Sequence, residues 1–508
     1  MVVLWLLLLS IITYISIQKS VSSITRTPVW LLWLVMMMPL LIWILWLVIT
    51  GGETIPLPLL LGIFLTCPFV YWSLIQLGRR SPDTSDSPSS PSTQSSEASD
   101  PPGRDSATHP SLNNMIFSAD NSMDRDDEDA LKRCFPWSVY YLKGIEHRAQ
   151  VLICTGHLRA SSEVAYRTIR DNIEKQFGQR FLVIFQEGMN GKPFFALVPN
   201  MQVAENTDQQ RLFRPVVAMV LLLATICTTT LAGMMLAGVP EEDLFPLNRD
   251  FVLQGLPYCV ALLLVLAAYH FSQYFVARRY QVRSSLPYFI PIPPVVLSFP
   301  FGTFGAFLQV RSPMPNRKVL FDMGFVGPII GILVTLPVLW WGLAHSDPVG
   351  ISPESSLFSV ESFDPKVSFL IAILSKIALP DLTVDTALHL HPVAIAGCLG
   401  ILVTTINLMP VGQLNGGKIV HAMFGQRTGA FIGQIARLLV LLLAFVHQNQ
   451  REFWLLPILL FFMPSVDEPA LNDVSELDNR RDLLGLAALA LLVLIILPAP
   501  PVITQLLF

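Results

Sequence analysis

Residues 269–331 read YHFSQYFVARRYQVRSSLPYFIPIPPVVLSFPFGTFGAFLQVRSPMPNRKVLFDMGFVGPIIG. The first residues close a long apolar run, Phe251–Phe275, and Arg278-Arg279 stops it. In the middle, Phe301-Gly302-Thr303-Phe304-Gly305-Ala306 combines small residues with β-formers. Non-helical backbone at membrane depth survives only where protein covers it or where it lines a cavity. This stretch therefore predicts a re-entrant hairpin. The last part places Gly324, Gly327, Pro328 and Gly331 at GxxG and GxxxG spacings, which let helices approach closely. Packing is the default reading of those glycines. Asp322, four residues from Lys318, reads as one half of an interfacial ion pair.

The remaining chain agrees with a membrane setting. It has 508 residues, 52% of them hydrophobic and 14% charged, and its mean hydropathy is +0.55. Soluble domains carry about 25% charged residues. A net charge of -4 gives no reason to expect a nucleic-acid partner. The six cysteines (Cys67, Cys134, Cys154, Cys227, Cys259 and Cys398) stand singly, with no CxxC pair to suggest a disulfide framework or a thiolate zinc site.

In chain order, the N-terminal run MVVLWLLLLSIITYISIQK lacks a charged leader and a small-residue cleavage site, so it reads as a retained membrane helix. Trp30–Thr50 and Leu57–Leu77 follow at near-spanning length. Residues 1–77 are thus expected to form three transmembrane helices. Residues 78–129 form a Ser/Pro/acidic linker with too little apolar surface to fold, and the acidic run Asp124–Asp129 reads as a solvated tail. Residues 130–212 turn globular. VLICTGHL is strand-like, Ser161 or Ser162 starts a helix that Gly178 ends, and two β-rich runs meet at Asn190-Gly191, a hairpin signal. This predicts a small soluble α+β domain without a catalytic cluster. Cys154 and His157 read as packing residues. Residues 213–508 return to membrane character, with spans expected at Pro215–Gly238, Phe251–Phe275, Val319–His345, His391–Met409, Gly429–Val446, a short Phe453–Phe462 and Leu483–Pro498. Val367–Leu379, which holds Lys376, is short enough to be interfacial or re-entrant. The basic flanks Lys19/Arg26, Arg79/Arg80, Arg211/Arg214, Arg278/Arg279, Arg317/Lys318 and Lys418/Arg427 put the linker and the α+β domain on the cytoplasmic or equivalent side.

A long series of words carries a resemblance. ARRY, LPYFIP, FPFGTFGAF, PNRKVLFDMGFVGPIIG, HPVAIAGCLG and NLMPVGQLNGG (Asn407–Gly417) together resemble the site-2 protease family of intramembrane zinc metalloproteases, in its cyanobacterial and chloroplast branch. FPWSVYYL and FLVIFQEGMNGKPFFALVPN in the preceding domain resemble the same branch. The resemblance implies a polytopic α-helical membrane protein with a site-2-protease-like core and a small soluble α+β domain. The family's HExxH supplies two His ligands on one helix face and a Glu base, and an Asp from a later NxxPxxxxDG motif completes the zinc site.

Aligned on ARRY, those roles fall on residues of other kinds. Tyr269 and Gln273 stand at the His positions, His270 at the Glu position and Asn415 at the Asp position. A phenol and two amides are poor ligands for zinc. The family cofactor is zinc, yet no metal and no intact catalytic residue are expected here. A relocated site from His270, His389, His391 and His421 is disfavoured, since a two-residue spacing puts His389 and His391 on opposite sides of a helix. Tyr269, His270, Ser272, Gln273 and Asn415 are expected to satisfy one another's polar groups. The resemblance assigns substrate contacts to Gly302, Phe304 and Gly305, on a hairpin edge that takes an extended backbone, and to Asn407 and Pro410, which also shape a broken helix.

The leading expectation is an inactive homologue in a plasma or thylakoid membrane that binds transmembrane or membrane-associated protein clients in a regulatory or chaperone-like role. Its alternatives are an active metalloprotease with a non-standard site and a transporter.

Overall fold

A computed structural model describes residues 30–35, 37–38, 125–148, 151–188, 191–200, 215–240, 248–294, 300–350, 362–383, 386–447, 451–500 and 504. Two compact units divide the chain near Pro110. In the first, residues 30–35 and 37–38 are helical. The other two expected N-terminal spans, most of the linker and Asn190 lie outside the described residues.

The second unit opens with α1 (Arg125–Arg133), inside the acidic run read as a solvated tail. Lys132 answers Glu128 at 3.3 Å and Asp129 at 3.1 Å, one helical turn away, which favours the helix. Next come β1 (Tyr140–Arg148), β2 (Val151–Leu158), α2 (Ser162–Phe177), β3 (Phe181–Glu187) and β4 (Pro193–Pro199). Gly178 ends α2 at φ 63°, a backbone state that glycine adopts without a Cβ penalty. The strands form an antiparallel sheet of order β1-β2-β4-β3. Alternate residues Cys154, Val183, Phe185, Phe195 and Leu197 point inward and bury against Leu131, Ile169 and Ile173. Cys154 is fully buried, and burial pushes its thiol up to about 12. It is therefore inert packing, and His157 alternates to the other sheet face.

The helical part follows as α3 (Pro215–Leu236), α4 (Arg249–Arg279), a two-stranded hairpin of β5 (Tyr288–Pro291) and β6 (Thr303–Phe307), then α5 (Arg317–Ala344). Beyond these lie β7 (Asp347–Gly350), α6 (Phe369–Ala378), β8 (Thr386–His389), α7 (Pro392–Leu408), α8 (Asn415–Phe424), α9 (Gln426–Val446), α10 (Leu455–Phe462) and α11 (Asn479–Ile496). By length and composition α3, α4, α5 and α9 are able to cross a membrane. The expected hairpin is present. Gly302 (φ 74°) lies so close to α3 that a Cβ there would sit 2.6 Å from the Thr228 carbonyl oxygen. The Tyr258 hydroxyl of α4 donates to the Phe301 carbonyl at 2.9 Å.

One expected ion pair is replaced by another. Asp322 does not pair with Lys318. It binds Arg481 of α11 through both oxygens, each at 2.8 Å, and accepts from the Tyr280 hydroxyl at 2.6 Å. A planar guanidinium meets a carboxylate in two parallel bonds, which an ammonium cannot do.

Candidate functional site

Helices α4, α5 and α8 meet around the four singled-out positions. Tyr269, His270 and Gln273 lie on α4, and Asn415 is the first residue of α8. All four are buried, with exposures of 2%, 8%, 8% and 7% in that order. Asn415 Nδ2 donates to the Tyr269 hydroxyl at 2.5 Å across 146 residues of sequence. The two halves of the site therefore come together, as expected.

The glycines of α5 explain how such large side chains fit. A Cβ on Gly331 would stand 2.7 Å from Tyr269 Cδ2, one on Gly327 would stand 2.7 Å from Gln273 Cγ, and one on Gly324 would stand 2.8 Å from the Asn415 carbonyl oxygen. One glycine row thus seats Tyr269, Gln273 and the start of α8. Packing at atomic contact leaves no space for an added methyl without strain.

The expected mutual hydrogen bonding forms only in part. Gln273 Nε2 reaches the Met323 carbonyl of α5 at 3.4 Å, and the Ser272 hydroxyl donates to the carbonyl of Tyr269 at 2.7 Å. His270 Nδ1 is buried with no hydrogen-bond partner. Neighbouring residues on a helix point about 100° apart, so His270 does not share the Tyr269–Asn415 direction.

Of the substrate positions, Phe304 and Gly305 sit on β6, whose other edge pairs with β5. Phe304 is 64% exposed and Gly305 holds φ 100°. Asn407 turns its amide back to the Val403 carbonyl at 2.9 Å. Pro410 is buried in the break between α7 and α8, and its carbonyl faces Gly433.

The side chains do not fit a zinc centre. The Tyr269 oxygen already accepts from Asn415, Gln273 turns to backbone, and His270 alone is an ordinary zinc donor. No group of three His, Cys, Asp or Glu able to hold a metal occurs among the described residues. The remaining histidines serve other places. His389 ends strand β8 rather than sharing a helix with His391, because the α7 helix starts only at Pro392. His391 caps α7 by accepting from Val393 N at 3.2 Å, and its ring stands against Trp341 at the end of α5. His421 binds two aspartates.

Residues 258–447, which contain this whole constellation, match the model of peptidase family M50. Over this stretch the chain is similar to that family, the site-2 proteases. It is 25% identical over 376 residues to a probable zinc metalloprotease EGY2, chloroplastic, of Arabidopsis thaliana, covering 72% of this chain and 63% of that protein. With the Arabidopsis EGY1 protein, also a probable chloroplastic zinc metalloprotease, identity is 30% over 258 residues, 51% of this chain and 44% of the relative. A probable zinc metallopeptidase EGY3, chloroplastic, again of Arabidopsis thaliana, is 25% identical over 330 residues, 62% of this chain and 55% of that protein. The chain thus spans less than two thirds of the length of these relatives. No solved structure matches it.

The sequence missed two features of the M50 core. One is the Asp322–Arg481–Tyr280 knot. The other is the set of partners of His421. In each the partners are more than 40 residues apart, and no local pattern announces them.

Proposed function

We propose that this chain is a proteolytically silent site-2-protease homologue, a multi-pass membrane protein that holds a transmembrane or membrane-associated protein segment without cutting it. The observation that carries this reading is the buried Tyr269–Asn415 hydrogen bond, set against the glycine row of α5. It joins the two places from which the family draws ligands and fills them with a phenol ring and an amide. Neither group activates water, and a hydrolase needs an activated water or another nucleophile. The names of the chloroplastic relatives support a plastid membrane. The basic helix flanks support a soluble α+β unit on the stromal side. The β6 edge, with Phe304 and Gly305, is the surface on which a client backbone would lie.

The test uses the full chain reconstituted with a reporter transmembrane segment and a photo-crosslinker at Phe304. The expected result is crosslinking with no cleavage, whether or not a chelator is present. Cleavage that a chelator abolishes would overturn the proposal. A second reading, a protease with a non-standard site, has one observation in its favour. His270 keeps an unpartnered buried Nδ1, and such a group costs free energy that function often explains. Under that reading His270→Ala abolishes a cleavage that the first reading does not expect at all.

A further inference from the structure

Beyond the glycine row, a short stretch of extended chain joins the α+β unit to the helical part. Phe185 N, on the open edge of β3, donates to the Leu471 carbonyl at 2.7 Å, and Asp473 N donates to the Phe185 carbonyl at 2.8 Å. On its other side the same stretch binds the segment before α5. Leu471 N donates to the Met314 carbonyl at 2.8 Å, and Asn472 N to the Pro315 carbonyl at 3.1 Å. Phe185 and Asn316 both bridge Asn472 in parallel fashion. Leu471 and Val474 pack on the core of the α+β unit.

A buried charge cluster fastens this stretch. Asp473 Oδ1 accepts from Arg317 Nε at 3.1 Å and meets His421 Nε2 at 3.0 Å. His421 Nδ1 meets Asp467 Oδ2 at 3.3 Å. Gln426 of α9 holds the Asp467 carbonyl at 2.8 Å, and Gly429 of α9 lays uncharged backbone on His421. The acids facing His421 are thus Asp467 and Asp473, with Arg317 beyond Asp473. A buried carboxylate between two cations holds firmly while both partners remain and fails sharply when one is removed. Among the described residues Arg427 Nη1 also reaches across this junction to the Gly188 carbonyl, at a long 3.5 Å.

We propose that residues 470–473 form a clasp that docks the α+β unit on the membrane core through Asp473 and opens as one piece, so that the unit undocks while its own sheet stays folded. The inference stands independently of whether the M50 site is silent. The clasp grips α5 at Arg317 and α8 at His421. Gly324 and Asn415, which line the site, lie about two helical turns further along those helices. The position of the α+β unit is thereby tied to the helices that close the site. The two backbone bonds to Phe185 are few enough to release without melting the strands behind them.

Hydrogen exchange by mass spectrometry on the full chain in detergent tests this, read as protection factors so that the intrinsic pH dependence of exchange is removed. In Asp473→Asn the peptides covering 181–187 and 470–475 are expected to lose protection together, by about tenfold or more, while β2 (151–158) keeps its own. His421→Gln is expected to do the same. Wild type is expected to follow as pH rises through about 9, because burial opposes the charged imidazole but hydrogen bonds to the two aspartates raise it to about 9. The wild-type arm stands if either variant fails to fold. Unchanged protection in every arm, or loss in β2 equal to that in 181–187, would overturn the clasp.

Discussion

Tyr269 and Gln273 each stand over a glycine of α5, and the two contacts differ in stiffness. The partner of Gly331 is the edge of an aromatic ring, whereas Gly327 meets a flexible amide stem. Gly331→Ala should therefore lower stability by about 1–3 kcal/mol, the usual range for overpacking, and Gly327→Ala by less. Pairing Gly331→Ala with Tyr269→Ala should remove the clash. Thermal unfolding in detergent checks the order, and equal losses at both glycines would contradict the packing described. Removing the hydroxyl with Tyr269→Phe strands a buried Asn415 amide. It should cost about 1 kcal/mol, and in a double-mutant cycle with Asn415→Leu that loss should be largely shared. The replaced positions themselves were legible from the sequence, because ARRY and the Asn407–Gly417 segment fix the register. That His270 Nδ1 is left without a hydrogen-bond partner was not, since helix spacing gives only an approximate direction.

At the scale of elements, the helices α3, α4, α5, α7 and α9 follow the apolar runs, and the hairpin follows its glycines. These signals are local. What the sequence hid are the ties between elements. Asp322 has a basic neighbour one turn away on its own helix, so Lys318 was the natural partner, yet Arg481 arrives from 159 residues later with a bidentate fit. Arg481→Ala would leave the half-buried Asp322 with Tyr280 alone. A loss of about 1–3 kcal/mol is expected, with α11 loosening first in hydrogen exchange. If Arg481→Lys restores full stability, the bidentate geometry is not what matters. The acidic run at Asp124–Asp129 was hidden for a related reason. Its composition suggests a solvated tail, but Lys132 supplies the cation that lets its last turns form helix.

Over the whole molecule, the α+β unit and the helical core are joined where no sequence motif points. His421 is the histidine at that junction, held between Asp467 and Asp473. A histidine in an unfolded chain titrates near 6.5, and this one titrates at about 9 when folded. Its contribution to stability is complete below the unfolded value and is lost as pH rises through about 9. The melting midpoint of the full chain should fall between about pH 6.5 and 9, and His421→Gln should flatten that fall. The same molecule carries, over residues 258–447, a match to peptidase family M50 around side chains that do not suit zinc. Zinc content of the purified full chain, after equilibration with zinc and removal of loosely bound ions, tests that most directly. A silent scaffold predicts far less than one zinc per chain, unchanged by Tyr269→Phe. One tightly held zinc per chain, lost in His270→Ala, would contradict it.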